Sequence, residues 1–179
     1  GTRPAPAKVL RTLDRYAKWG LPIHITQLAL PSDGRPIRHS WKQGTWTERE
    51  QADYAVALYT ICFSHPNVEA ISWTDFSDLC PPSAGGCPRG RGLGGASQEG
   101  CGLLRAKLYT KRIYKILRKL IHTEWQTHTS GVSDEKGNFC FRGFYGRYHV
   151  TVIAPNHVLH TATIHLTQGG NRDFTITLA

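Results

Sequence analysis

Val9, Leu10, Leu13, Tyr16 and Ala17 recur at helical spacing and predict a helix over 8–19, with Gly20 placed to end it. Pro22-Ile23-His24-Ile25-Thr26-Gln27-Leu28 reads as a strand. Side chains alternate along a strand, so Ile23, Ile25 and Gln27 are expected on one face and His24 on the other, packed under a helix. A polar loop leads to Thr47-x-x-Glu50, a capping box that opens a second helix with Ala52, Ala55, Val56, Tyr59, Cys62 and Phe63 as its apolar stripe. Pro66 lies just past its end, and 68–76 predicts a second strand. Residues 79–102, rich in Gly, Pro, Arg and Cys, show no period and read as an irregular loop. A third helix is expected over 107–125, with Ile113, Ile116, Leu117, Leu120 and Ile121 facing a core.

After Trp125 the period changes to two. Strands are predicted at 139–141, 148–153, 157–166 and 174–178, with a turn at Asp134-Glu135-Lys136-Gly137-Asn138 and glycines punctuating the rest. The expected fold class is therefore α/β plus all-β, with an α/β domain over 1–125 and a small antiparallel β-sandwich over 126–179. The order helix, strand, helix, strand, helix indicates parallel strands with crossover helices. Two strands cannot form a parallel sheet covered on both faces. A complete (β/α)8 barrel needs about 250 residues, so further chain is expected.

Composition narrows the partners. The apolar fraction is 40%, enough for a packed core. The net charge is +9, much of it at 107–119 and near Arg89 and Arg91, which reads as a solvated helix face and an exposed loop. No nucleic-acid reader motif accompanies it, so no nucleic-acid partner is expected. No apolar run reaches the roughly 18 residues of a membrane span, and no membrane partner is expected. The five cysteines, Cys62, Cys80, Cys87, Cys101 and Cys140, form no CxxC pair, so no metal and no cofactor is expected. A disulfide within 79–102 stays open, as does whether that stretch is a natural insertion or the product of a frame error. There is no methionine and residue 1 is glycine, so the N-terminus is expected to come from processing, trimming or a fragmentary sequence.

Several segments in order resemble the end of a family-10 glycoside hydrolase, the endo-1,4-β-xylanase family. They are Gly20 to Gln27, then Trp46-Thr47 with Glu50-Gln51-Ala52, Cys62-Phe63-Ser64-His65-Pro66, Ala70 to Asp78, and Gly102-Leu103-Leu104-Arg105. The resemblance implies the C-terminal part of a TIM barrel, the two strands being barrel strands 7 and 8. The tail resembles the β-sandwich modules that follow some barrels of this family, through Gly131, Asp134, Gly137, Phe139, Phe141, Gly143-Phe144-Tyr145-Gly146 and Tyr148. It also implies a secreted or cell-envelope protein acting on xylan.

Retention of configuration in this family requires two carboxyl groups about 5–5.5 Å apart. The family's nucleophile is the Glu of Ile-Thr-Glu at the end of strand 7, and this chain has Ile25-Thr26-Gln27. Gln27 thus takes the nucleophile position with an amide that does not ionise. The acid/base Glu belongs to strand 4, which precedes the matched segment, so this chain alone is expected to be inactive. The resemblance also points to Trp73, Thr74 and Asp78 as substrate-binding positions. Thr74 stands where the family carries a Trp four residues before the Asp matching Asp78, and 79–102 lacks the family's next sugar-facing Trp. Beside those roles, Asp78 reads equally as a helix or loop cap, and Trp73 as barrel packing. The alternative function is a non-catalytic carbohydrate-binding or cell-surface module, which an exposed row of Phe144, Tyr145 and Tyr148 would favour.

Overall fold

The computed structural model describes residues 3–38, 40–78, 100–155 and 157–178; most of the 79–102 stretch, including Cys80, Cys87, Arg89 and Arg91, lies outside them. The chain divides into two compact units, Gly1–Leu120 and Ile121–Ala179. Among the described residues it is a mixed α/β assembly: a two-stranded parallel sheet with helices in the first unit and an antiparallel hairpin in the second.

In the first unit, α1 (Pro6–Ala17) leads to β1 (Ile23–Leu28), α2 (Glu48–Ser64), β2 (Val68–Trp73) and α3 (Arg112–Lys119). The strands pair in parallel, Ile23 opposite Val68 and Leu28 opposite Trp73, with α2 as the crossover. The capping box forms by half: Thr47 Oγ1 accepts from the Glu50 N–H at 3.2 Å. The Glu50 carboxylate does not return to Thr47 but binds Arg3 and Lys42. Arg3 is buried, its guanidinium 5.0 Å from the Tyr54 ring centroid and 5.6 Å from that of Trp46. Burial lifts the Tyr54 phenol to about 12, against the opposing pull of Arg3. α2 buries Gln51, Ala52, Tyr54, Ala55, Leu58, Tyr59 and Cys62, while Phe63 of the expected stripe is exposed. His65, also buried, accepts the Asn67 N–H on Nδ1, which leaves the proton on Nε2, 3.4 Å from Asp14 of α1.

Three expectations need correction here. His24 is exposed and lies 3.3 Å from Glu69 on the neighbouring strand, not under a helix, because cross-strand pairing offers it a carboxylate in water. Gln27 does not share the burial of Ile23 and Ile25: it is exposed where they are half-buried, and the register of β1 against β2 shifts between Ile25 and Leu28. The third helix starts at Arg112, not near residue 107. Ahead of it Leu104 bridges to Thr110, Leu108 takes a positive φ of 63°, and the Lys111 N–H donates to Leu103 O. At its other end the chain widens into a π-turn, Leu120–Glu124. Ile113, Leu117 and Leu120 are buried as expected, whereas Ile121 is exposed.

In the second unit β3 (Gly146–Ile153) and β4 (Leu159–Leu166) pair antiparallel over their whole length. The predicted strands at 139–141 and 174–178 lie outside any strand, so two strands stand in place of the expected sandwich among the described residues. At 139–141 the alternation serves ring packing instead of a ladder. Phe139 stacks on Phe141 at 6.4 Å, and Phe141 meets Tyr148 edge-on at 5.3 Å. The turn at 134–138 forms as expected: the Asp134 carboxylate accepts the N–H groups of Asn138 and Lys136, which hold it below its usual range.

Candidate functional site

The C-terminal ends of β1 and β2 lie side by side, where barrel-type sites are built. Gln27 falls in the register shift just before Leu28. Its side chain is exposed and makes no hydrogen bond among the described residues. Leu28 O accepts the Thr74 N–H at 3.0 Å, which ties the end of β1 to the residue after β2.

Beyond β2 the chain enters a dense polar cluster. Trp73 is half-buried, and its indole N–H donates to Cys101 O at 2.9 Å. The Asp78 carboxylate accepts the Gly102 N–H at 2.8 Å and the Lys111 ammonium at 2.6 Å. Lys111 is 1% exposed and also donates to Ser32 Oγ at 3.1 Å and Gly100 O at 2.9 Å. Gln51, fully buried on α2, donates to Leu30 O at 2.6 Å and Gly100 O at 3.2 Å. Three chain segments distant in sequence thus meet on one ammonium. Gly102 is required here by close approach: a Cβ on it would sit 2.5 Å from the Ser77 carbonyl carbon.

Burial dominates the electrostatics. The Asp75 carboxyl is pushed up by desolvation first and by Asp78 second, and its Oδ2 has no partner. The Cys101 thiol is lifted to about 11, chiefly by burial. Thr74 Oγ1 and Gln51 Oε1 are likewise buried without a partner. Three unpaired oxygens in one region leave acceptor capacity that a donor could satisfy.

The structure therefore gathers Trp73, Thr74 and Asp78 around the 75–78 and 100–104 segments and leaves Gln27 outside their hydrogen bonds. Asp78 does what a loop cap does, with an ion pair added. Sequence reasoning missed Lys111, Gln51 and Asp75. In the sequence Lys111 reads as part of the solvated basic face. Gln51 carried a usable signal: it shares the 51, 55, 58, 62 spacing with core residues, and a polar residue at core spacing is a buried polar residue. In the second unit Phe144 and Tyr145 are exposed, but Tyr148 is pinned, its phenol donating to Phe144 O at 2.6 Å. Among the described residues no group of three or more His, Cys, Asp or Glu side chains could hold a metal ion. No helix among them is long and apolar enough to cross a membrane.

No family model matches the chain. It is 29% identical to the anti-sigma-I factor RsgI6 of Acetivibrio thermocellus over 157 residues, covering 88% of this chain and 17% of that protein. It is 27% identical to endo-1,4-beta-xylanase 3 of Arabidopsis thaliana over 152 residues, covering 85% of this chain and 16% of that protein. Endo-1,4-beta-xylanase 1 of the same plant is 27% identical over 150 residues, 84% of this chain and 13% of that protein. The chain thus spans 13–17% of the length of these curated relatives. Two solved structures give TM-scores below 0.5. The β-glucuronidase of Bifidobacterium dentium with coumarin-3-O-glucuronide scores 0.48 at 16% identity, over 65% of this chain and 17% of that one. The Ruminococcus gnavus β-glucuronidase with uronic isofagomine scores 0.46 at 15% identity, over 65% of this chain and 18% of that one. The chain is distantly related to xylanase-type glycoside hydrolase sequences.

Proposed function

We propose that this chain is the C-terminal part of a retaining endo-1,4-β-xylanase-like family-10 barrel, followed by a small antiparallel β module, from a secreted or cell-envelope protein acting on xylan. The observation that carries the reading is Ile25-Thr26-Gln27 ending a strand paired in parallel with the one that leads to Trp73 and Asp78. Double displacement needs an ionised nucleophile and a separate acid/base. Gln27 supplies neither, and in the family the acid/base belongs to strand 4. The chain alone is therefore inactive.

The remaining barrel is the partner this reading requires. An apolar cavity of about 580 Å³ lies between α1 and β1, lined by residues that include Leu13, Tyr16, Trp19, Leu21 and Ile23. Trp19 and Leu21 are 72% and 63% exposed. Among the described residues β1 pairs with β2 alone, so its other edge is open. A preceding strand and helix would cover both. The gene upstream of the Gly1 codon tests this. Six further βα units with a Glu ending the fourth strand support the reading, and an upstream frame encoding no such unit refutes it.

A second reading, a non-catalytic carbohydrate-binding module in the second unit, is favoured by the exposed rings of Phe139, Phe141, Phe144 and Tyr145. Retention on insoluble xylan that drops when Phe144 and Tyr145 are both changed to Ala would support it. Equal retention of that variant would remove it.

A further inference from the structure

The outer face of the β3–β4 hairpin carries four cross-strand rows in register: Arg147 opposite His165, His149 opposite Thr163, Thr151 opposite Thr161, and Ile153 opposite Leu159. All of these residues are exposed, and strict alternation keeps them on one side. At about 3.4 Å per residue the rows extend about 20 Å. The chemistry grades along them from guanidinium and imidazole, through hydroxyls, to two aliphatic side chains. Neither strand contains an Asp or Glu. Arg147 has no ion pair among the described residues. Thr163 Oγ1 lies 3.4 Å from His149 Nδ1. With the hydroxyl donating, the proton sits on Nε2 and leaves the far side of the ring a donor.

We propose that this face binds a carboxylate-bearing glycan lengthwise. The carboxylate sits among Arg147, His149 and His165, sugar hydroxyls meet the threonines, and a C–H face rests on Ile153 and Leu159. The surface charge selects this partner over two others. A nucleic acid needs several Lys or Arg to neutralise successive phosphates. This face holds one arginine, and over 121–179 acidic residues and Lys plus Arg balance at four each. A neutral glycan would call for an aromatic platform, and the eight residues include no Phe, Tyr or Trp. The proposal does not depend on the barrel reading, because the hairpin lies wholly within the second unit.

Affinity electrophoresis of the whole chain at low salt in gels containing polygalacturonate tests it. Polygalacturonate should retard the chain and neutral xylan should not. Arg147→Ala should weaken retardation about tenfold by removing a charge-assisted contact. Lys136→Ala, a charge change in the 134–138 turn, should leave it unaltered. An NMR titration with oligogalacturonate should move amide signals in β3 and β4 while the rest of the Arg147→Ala spectrum stays native. Absence of retardation, equal retardation by xylan, equal loss in both variants, signal changes confined to α3, or tighter binding of a single-stranded oligonucleotide would each overturn the proposal.

Discussion

The two strand ends at the candidate site are neighbours with opposite character. At the end of β1 the register slips, Gln27 faces solvent and its side chain makes no hydrogen bond. At the end of β2 a buried ammonium joins Asp78, Ser32 and Gly100, and a glycine packs backbone against backbone. The difference separates two jobs that one rim performs. The β2 end is architecture, since Lys111, Asp78, Ser32 and Gly100 bond to one another. The β1 end is presentation, since it leaves a polar side chain in the open. Exchanging the residue at the β1 end should therefore leave stability intact, whereas exchanges at the β2 end should lower it.

The largest test of that contrast is Lys111→Met. It leaves Asp78 facing an apolar side chain and removes the ammonium's bonds to Ser32 Oγ and Gly100 O, at an expected cost of about 3 kcal/mol. A urea melt of the whole chain measures this, and a loss comparable to that of a surface lysine would break the comparison. Gly102→Ala comes next, at about 1–3 kcal/mol, because the new methyl meets backbone that cannot rotate away. A melting midpoint unchanged by that substitution would show that the 77–78 and 102 segments are looser than described.

Titration sharpens the picture with two carboxyls of opposite sign. Asp75 has its folded value raised above the ordinary 3.8. The folded state therefore binds its proton more tightly, and stability falls as pH rises from 3.8 through the folded value. Asp75→Asn should flatten that slope and raise stability at neutral pH. Glu50 is lowered from 4.5, first by its hydrogen bond from Arg3 and then by that from Lys42. Its contribution is fully present above 4.5 and is lost as pH falls through the folded value, so Glu50→Gln should remove part of the acid-side loss. Melts at several pH values from 3 to 7 distinguish the two slopes. The smallest effect belongs to Gln27→Ala, which should change stability by no more than about 0.5 kcal/mol.

Much of the architecture was legible because it rests on local period and capping. α1, α2, the two parallel strands and the Asp134 turn all follow from residues close in sequence. What escaped depends on contacts between distant segments. Nothing within 107–111 announces that Lys111 will meet Asp78 and Ser32, so a run of cations read as a solvated face. The slip beside Gln27 shows only in the pairing with β2, and strict alternation gives no sign of it. In the second unit the alternation at 139–141 was real, but period two reports faces and not partners, and the rings pack on one another instead of joining a ladder. Gln27 itself was found through resemblance to a catalytic motif, not through any local pattern.

The central claim is the proposal that the exposed β1 end holds the family's nucleophile position without a nucleophile. Release of reducing ends from xylan by the purified chain and by its Gln27→Glu variant tests it most directly. Neither protein should exceed the buffer control, because one restored carboxylate cannot serve as both nucleophile and acid/base. Turnover by the unaltered chain that disappears in Gln27→Ala would contradict the account.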